Sequence, residues 1–155
     1  MKKMLFLFIC LFSLNLSLSA GNDKPITVSE MPKAAQEFIQ RHFANQQVAM
    51  AKVETDFLIK TYDVIFSNGD KVEFDSKGKW TNVDCEHSQV PVEILPVEIH
   101  KYVTRHYPQA KVVKIELTDR KGYDVELNNG FDLEFDKRLR LREIDRKKKR
   151  LDFKL

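Results

Sequence analysis

The side chains best suited to covalent chemistry lie in one polar stretch near the middle of the chain. Cys85 and His87 are two positions apart, between Asp84 and Ser88. A thiol beside an imidazole is the pairing of a cysteine nucleophile with its general base, but such a site also needs a third residue and oxyanion donors. The sequence shows neither near this pair. We therefore expect a linker thiol without a catalytic role.

Histidines and carboxylates are the residues that could bind a metal ion. His42 and His106 occupy equivalent helical positions, but neither helix offers the further ligands that a zinc site needs. The carboxylates along the strands could bind Ca²⁺, yet no loop has EF-hand spacing. They could also act as paired glycosidase acids, although no aromatic platform for a sugar accompanies them. The sequence predicts no metal, no cofactor and no enzyme activity.

Two stretches of the chain occur twice. Residues 32–43 return as residues 96–107 with an offset of 64, and residues 62–75 return as residues 123–136 with an offset of 61. Shared order at a nearly fixed period indicates a duplicated supersecondary unit. Because the offset falls by three, the second copy lacks three residues in the stretch that links its helix to its later strands.

Each copy predicts one helix and four strands. Pro32 and Pro96 suit the first turn of a helix, where a missing N–H costs nothing, and apolar residues follow each proline at helical spacing. Alternating apolar and polar residues then predict strands. The predicted strands are residues 48–54, 58–66, 71–74 and 79–84 in the first copy, and residues 112–117, 122–127, 132–135 and 139–145 in the second.

Asn-Gly pairs mark the turn between the second and third strands of each copy. Gly69 and Gly130 are expected to have positive φ angles in two-residue hairpin turns. The fold class predicted from these elements is α+β. We expect two tandem helix-plus-four-stranded antiparallel meander units, which form one broad sheet with the helices on one face.

Alternation along the strands separates the two faces of this predicted sheet. Aromatic and aliphatic residues from Tyr62 to Phe74, and from Tyr123 to Phe135, point to the side that the helices cover. The opposite face is polar, and in the second copy it is almost purely acidic. We expect that face to stay in water.

Trp80 is the only tryptophan. Trp80 and Val83 are three positions apart, so in a regular strand their side chains point to opposite faces. One of the two therefore faces the open side unless the strand is bulged. On the open side Trp80 would join Ile65 as an apolar island on an acidic surface, which is typical of an interaction hot spot; core packing is the alternative. The predicted partner-binding residues are Trp80, Ile65, Asp63, Glu73, Asp124, Glu126, Asp132 and Glu134.

The targeting signal and the charge distribution indicate the cellular compartment of the protein. Lys2 and Lys3 precede an apolar run that ends in small residues, which is typical of a cleaved secretory signal. Cleavage after Ser19 or Ala20 leaves Cys85 as the one cysteine, so no internal disulfide is expected. Residues 21–136 carry 14 basic and 20 acidic side chains, whereas residues 137–155 carry 10 basic and 3 acidic ones. An exported acidic body without interleaved aromatics does not indicate nucleic-acid binding.

The same features divide the chain into segments. They predict a signal peptide at 1–20, an N-terminal linker at 21–29, a first repeat at 30–85, a linker at 86–94, a second repeat at 95–145 and a basic tail at 146–155. We expect no stable membrane anchor. A weak contact of the basic tail with anionic lipid stays open beside the alternative of a solvated tail.

Residues 30–145 resemble a known family. The Met/Leu-Pro that opens each helix, the doubled Tyr-Asp-Val and Asn-Gly followed by Glu-Phe-Asp, and Gly78-Lys79-Trp80 resemble the PepSY-like family of exported proteins from Bacteroides-type bacteria. That family is similar in fold to the beta-lactamase-inhibitor proteins. The second copy departs from the pattern, because Leu139 replaces Gly78 and Leu141 replaces Trp80.

The resemblance implies a fold and a periplasmic location, and it supplies no catalytic residues. Together with the residue pattern it favours a non-enzymatic periplasmic binding module that recognises a protein or peptide of basic character through the exposed sheet face. The alternative is an inhibitor of an exported hydrolase of the peptidase or beta-lactamase type.

Overall fold

The structure, a computed structural model, describes residues 23–146. Within that range the chain forms one open antiparallel sheet in which each strand pairs with its neighbours in chain order. Its strands are β1 (Lys24–Ile26), β2 (Val48–Asp56), β3 (Ile59–Phe66), β4 (Lys71–Phe74), β5 (Trp80–Asp84), β6 (Val112–Leu117), β7 (Tyr123–Leu127), β8 (Phe131–Phe135) and β9 (Leu141–Arg146). In the chain, helix α1 (Lys33–His42) precedes β2 and helix α2 (Val97–His106) precedes β6.

The predicted mixed fold with one antiparallel sheet and two helices is confirmed. The predicted signal peptide and the part of the basic tail after Arg146 lie outside the described residues. Strand β1 was not predicted, since its residues fall in the segment assigned to a linker. Three residues are too few to show alternation, and Pro25 argues against a strand in general but is tolerated on a sheet edge, where β1 lies.

The two helices begin one residue after the expected prolines. Pro32 and Pro96 are the N-cap residues, and each helix has ten residues. In α1 the buried residues are Ala35 and Ile39, which belong to the apolar stripe seen in the sequence. A single 3₁₀ turn precedes each helix, at Val28–Glu30 and Val92–Ile94.

The core lies between the helices and one face of the sheet. Its strand residues include Val64, Phe66, Val72, Phe74, Val125, Leu127, Leu133 and Phe135, all at most 2 % exposed. The Phe38 ring of α1 meets Phe74 edge-on at 5.6 Å, and the Tyr102 ring of α2 meets Phe135 in the same way at 5.6 Å. The predicted core face is therefore confirmed.

The hairpin turns differ from the predicted type. Gly69 has φ 91° and Gly130 has φ 84°, so the expected positive φ angles are confirmed. Asn68, however, is not in the positive-φ region, and the Phe66 N–H donates to the Asp70 carbonyl oxygen across a three-residue loop. A three-residue loop with a type I turn and a final left-handed glycine replaces the predicted two-residue turn.

We expect Gly69→Ala to destabilise the fold by about 1–2 kcal/mol, because a Cβ is disfavoured at a positive φ. The added Cβ would also lie 2.9 Å from Cδ2 of His87. Chemical denaturation measures the change in the free energy of unfolding. Ser67→Ala in the same loop is the control and should change it by less than about 0.5 kcal/mol. A neutral or stabilising Gly69→Ala would contradict this account of the turn.

Asp70 fixes the segment that follows β5. Its side chain is fully buried. One carboxylate oxygen, Oδ2, accepts hydrogen bonds from Gln46 Nε2 at 2.9 Å, Asn68 Nδ2 at 2.8 Å and Ser88 Oγ at 2.7 Å. These donors come from the loop after α1, the β3–β4 turn and the segment after β5. One carboxylate thus joins three separate parts of the chain.

Candidate binding face

The side of the sheet opposite the helices, here called the open face, carries two rows of residues. The first row runs from β2 to β9 through Lys52, Asp63, Glu73, Asn82, Glu116, Asp124, Glu134 and Glu143. The second runs through Met50, Ile65, Lys71, Asp84, Lys114, Glu126, Asp132 and Asp145. Directly opposed side chains lie about 4.5–5.5 Å apart at Cβ, so each row is continuous.

Ion pairs compensate the charges of the open face at its β2–β4 end. Lys71 Nζ lies 3.1 Å from Asp63 Oδ2 and 2.7 Å from Glu73 Oε1. Lys52 Nζ approaches the same Asp63 oxygen at 3.4 Å. Asp63 is only 8 % exposed, so this predicted partner-binding residue lies on the predicted face but is largely covered by two lysines. Glu73 is half-buried beside it.

The β6–β9 end of the open face is acidic. Like charges stand directly opposite each other in Glu116–Asp124, Asp124–Glu134 and Glu134–Glu143. Burial, and then the carboxylates of Glu134, Glu116 and Asp132, raise the pKa of Asp124. We call Glu116, Asp124, Glu126, Asp132, Glu134, Glu143 and Asp145 the acidic field; with Lys114 they line one shallow depression. The field contains four of the predicted partner-binding residues.

A small apolar groove occupies the other end of the open face. Met50 on β2 is 46 % exposed and faces Ile65 on β3. Pro25 on β1 lines the same groove, and Lys52 and Lys71 stand at its sides. Ile65 was predicted as a partner-binding residue, but Met50 and Pro25 were not. Met50 follows the register shift between Val48 and Met50, so alternation alone could not place it.

Known proteins are similar to this chain in sequence and in fold. The family described as "Putative beta-lactamase-inhibitor-like, PepSY-like" matches residues 60–143, which is more than half of the chain. The chain belongs to the PepSY-like family. No protein of curated function matches this PepSY-like chain.

Three solved Bacteroides structures are similar over most of their length. A "putative calcium-regulated periplasmic protein" from Bacteroides thetaiotaomicron is 57 % identical with a TM-score of 0.77, over 79 % of this chain and 96 % of that one. A "putative periplasmic protein" of Bacteroides vulgatus is 52 % identical with a TM-score of 0.78, over 81 % and 98 %. A further one of that species, of unknown function, is 38 % identical with a TM-score of 0.73, over 79 % and 98 %. This PepSY-like protein is accordingly periplasmic.

Trp80 of the PepSY-like protein does not reach the open face. A bulge between Glu73 and Phe74 shifts the register, so Trp80 pairs with Phe74 and packs on the core side. Its ring lies 6.4 Å from that of Tyr123. Of the two placements that the sequence allowed for Trp80, core packing is the one observed, so Trp80 is not a partner-binding residue beside Ile65. The bulge lets Trp80 and Val83 share one face despite their opposite parity.

Asp136 also lies elsewhere than alternation suggests. Alternation continued from Asp132 and Glu134 predicts Asp136 on the open face, but Asp136 follows β8 and belongs to a turn. Its Oδ1 accepts hydrogen bonds from the backbone N–H groups of Arg138 at 2.8 Å and Arg140 at 3.1 Å. These bonds, with the adjacent Arg140 side chain, lower the pKa of Asp136 to about 2. Asp75 caps the corresponding turn after β4 through Lys77 and Lys79.

The residues with covalent or metal-binding potential have structural surroundings. Cys85 is fully buried, and burial and then the Asp70 carboxylate raise its pKa to about 12. The His42 ring packs at 4.7 Å from Phe38, and burial lowers the pKa of His42. His106 stacks on Tyr102 at 4.4 Å. Within residues 23–146 no group of three metal-ligating side chains converges on a point, and neither helix has the length and apolar run of a membrane-spanning helix.

Proposed function

We propose that this protein is a non-enzymatic periplasmic binding module that recognises a basic protein segment or peptide through the open face of its sheet. The two sequence repeats would act as tandem units in this role. The first supplies the apolar groove, and the second supplies the acidic field. The buried state and raised pKa of Cys85 agree with a role without covalent chemistry.

The acidic field is the observation that carries this proposal. Carboxylates placed directly opposite one another destabilise a sheet. The Glu116–Asp124–Glu134–Glu143 run repeats that unfavourable pairing on three neighbouring strand pairs, and it includes Asp124, whose pKa is raised. Lys114 compensates Glu116 at 3.2 Å, but like charges still oppose each other across β7, β8 and β9. A cationic partner would relieve the repulsion, and its long-range attraction would guide the encounter.

The apolar groove supplies the second part of the recognition. Ile65 lies on β3 and Asp132 on β8, five strands apart in the same row. At about 4.8 Å per strand the two ends are separated by roughly 24 Å. An extended segment spans that distance with about seven residues. We therefore expect a partner with an aliphatic or aromatic residue about seven positions from a cluster of lysines or arginines.

Charge reversal in the acidic field tests the proposal. Immobilised protein captures partners from a Bacteroides periplasmic extract, and each partner is then purified and its binding kinetics are measured. We expect Glu126→Lys with Glu134→Lys to lower the association rate constant by about tenfold, because charges at an interface mainly steer encounter. Added NaCl should slow association to the wild-type protein in the same way. Met50→Ala with Ile65→Ala should instead raise the dissociation rate constant.

The control reverses the same number of charges on the helix side. Glu37→Lys with Glu98→Lys changes two exposed glutamates of α1 and α2, so the net charge changes equally while the open face is intact. This variant should associate as the wild-type protein does. If the two charge-reversal variants slow association equally, only net charge matters. If neither changes binding, the open face is not the interface.

The second candidate function is inhibition of an exported hydrolase. It is favoured by the family description as beta-lactamase-inhibitor-like. The same face would then cover the active site of a peptidase or a beta-lactamase. Steady-state assays of purified periplasmic hydrolases with increasing amounts of protein measure it. Inhibition by the wild-type protein and by the helix-side control, but not by the acidic-field variant, would support inhibition over simple binding.

Calcium is a further candidate ligand because one relative, 57 % identical, is described as calcium-regulated. Carboxylate oxygens are the ligands that Ca²⁺ prefers. Since no metal-ligating group converges within the described residues, binding in the acidic field would be diffuse and would compete with a basic partner. The kinetics should therefore be repeated with CaCl₂ and MgCl₂ at equal ionic strength. A selective loss of association in CaCl₂ would support calcium control, and equal curves would oppose it.

A further inference from the structure

The β2–β3 hairpin extends past the rest of the sheet. Strand β1 pairs only with residues 51–53 of β2, and β4 pairs only with residues 62–65 of β3. Residues 54–56 and 59–61 consequently pair with each other alone. At about 3.4 Å per residue this two-stranded extension, here called the arm (residues 54–61), projects roughly 10 Å.

The tip of the arm is apolar and exposed. Phe57 is 93 % exposed, Leu58 97 % and Ile59 66 %. Phe57 has φ 42° and Leu58 has φ 74°, a region that bulky side chains rarely occupy. A two-residue turn of this kind normally has Asn-Gly, which adopts these angles without strain. The arm therefore has two residues that oppose both its turn geometry and its exposure to water.

The second copy lacks this feature. Its corresponding turn, residues 118–122, is polar, and its backbone is closed by hydrogen bonds between Thr118 and Gly122. Val48 and Tyr62 are separated by three more residues than their counterparts Val112 and Tyr123. The three residues missing from the second copy thus fall in this hairpin. The apolar arm is a property of the first copy and not of the fold.

The arm lies at the same end of the strands as three basic turns, and we call this end the loop edge of the sheet. Because the strands alternate in direction, the β2–β3, β4–β5, β6–β7 and β8–β9 connections all lie at the same edge. These segments, residues 54–61, 75–79, 118–122 and 136–140, carry eight basic and five acidic side chains. Two of the five carboxylates, Asp75 and Asp136, are bonded to their own turns. Glu54, Asp56 and Asp119 are the remaining ones.

We propose that this edge docks on an anionic lipid surface, with Phe57 and Leu58 inserted at the level of the acyl chains and the basic turns against the headgroups. Exposed apolar side chains with flanking cations are the combination that holds proteins reversibly at such a surface. The arm and the basic turns contain none of the residues of the apolar groove or of the acidic field, so this surface is separate from the one in the proposed function. A sheet that docks by its edge leaves the open face accessible.

Charge decides between a lipid surface and a protein cleft. The arm by itself has Glu54, Asp56 and Lys60, so a basic cleft would attract it without help. The positive charge lies on the neighbouring turns, at Lys77, Lys79, Arg120, Lys121, Lys137, Arg138 and Arg140. They extend from β4 to β9, beyond the reach of a cleft that holds only the tip. An anionic surface can contact the tip together with the nearest basic turn, at Lys77 and Lys79, and with any further turn that the twist of the sheet leaves on the same side.

Flotation with vesicles tests the proposal. The purified periplasmic protein is mixed at low ionic strength with vesicles of phosphatidylcholine alone, or of phosphatidylcholine and phosphatidylglycerol in equal parts. We expect it to float with the anionic vesicles and not with the neutral ones. Phe57→Asn with Leu58→Gly should lower the partition coefficient by about tenfold, since two large side chains no longer enter the membrane.

This double substitution should not destabilise the protein, because Asn-Gly suits the turn of the hairpin better than Phe57-Leu58 does. Its melting temperature should equal or exceed that of the wild-type protein, so a loss of vesicle binding is not a loss of folding. Ile144→Ser is the matched control, as Ile144 is 45 % exposed but lies opposite Leu133 in the middle of β9, away from the loop edge. Its partition coefficient should stay unchanged.

Each other result overturns the proposal. The wild-type protein could ignore the anionic vesicles, or bind neutral and anionic vesicles equally. The arm variant could float as well as the wild type, which would assign binding to other residues such as Lys147–Arg150 of the tail. Finally, a photo-reactive residue at Leu58 could cross-link to one periplasmic protein and to no lipid, in which case the arm inserts into a protein cleft. None of these results alters the test of the open face.

Discussion

Phe74→Ala and Phe135→Ala should each lower the free energy of unfolding by about 3–5 kcal/mol, the largest losses we expect from single substitutions in this fold. Phe74 is 0 % exposed and Phe135 is 2 % exposed. Each ring is met edge-on by an aromatic ring from the helix above it, Phe38 for one and Tyr102 for the other. Truncation leaves a cavity under a helix, where the rigid sheet on the other side limits collapse.

The protein contains its own control for this chemistry. Phe57→Ala removes the same atoms from a side chain that is 93 % exposed, so it should change stability by less than about 0.5 kcal/mol. Urea denaturation followed by circular dichroism gives all three values. The core assignment would be wrong if either buried variant lost less than about 1 kcal/mol, or if Phe57→Ala lost as much as they do. Similar losses at Phe74 and Phe135 would show that the two helices cover the sheet in equivalent ways.

Alternation predicted which side of the sheet becomes the core because most strands have a regular pleat. Val64 opposes Val72, and Val125 opposes Leu133, as a two-residue period requires. Glycines also carried reliable information, since Gly69 and Gly130 do have positive φ. In these places local conformation and tertiary burial agree, so the sequence alone is sufficient.

The misplaced residues share one physical cause. A bulge inserts one extra residue without a sequence signal as strong as an Asn-Gly turn. One bulge moved Trp80 to the core side, and another irregularity brought Met50 opposite Ile65. The burial of Asp63 on the open face could not be predicted either, because it depends on which lysines lie across the strands from it. Register is a property of pairs of strands, and a single strand does not contain it.

The hydrogen bonds of Asp70, which join three separate parts of the chain, could not be predicted from the sequence either. In the sequence Asp70 is an ordinary residue after an Asn-Gly turn, and its counterpart in the second copy is Phe131. Only the fold brings Gln46, Asn68 and Ser88 to the same carboxylate oxygen. The two copies thus anchor this position differently, the first by a buried carboxylate and the second by an aromatic ring that packs on Tyr107 at 5.2 Å.

Asp70→Ala should lower the free energy of unfolding by about 2–4 kcal/mol, because it leaves several donors without their acceptor in a buried site. Asp119→Ala is the control, an exposed aspartate whose removal changes the net charge equally and should change stability by less than about 0.5 kcal/mol.

The segment after β5 should also loosen in Asp70→Ala, and the rate of alkylation of Cys85 measures this loosening. The wild-type thiol, fully buried and with its pKa raised to about 12, should react slowly with iodoacetamide at neutral pH. In Asp70→Ala that reaction should be at least about tenfold faster, since local opening exposes the thiol and loss of the neighbouring carboxylate also lets its pKa fall. An unchanged alkylation rate together with unchanged stability would show that Asp70 does not hold this segment.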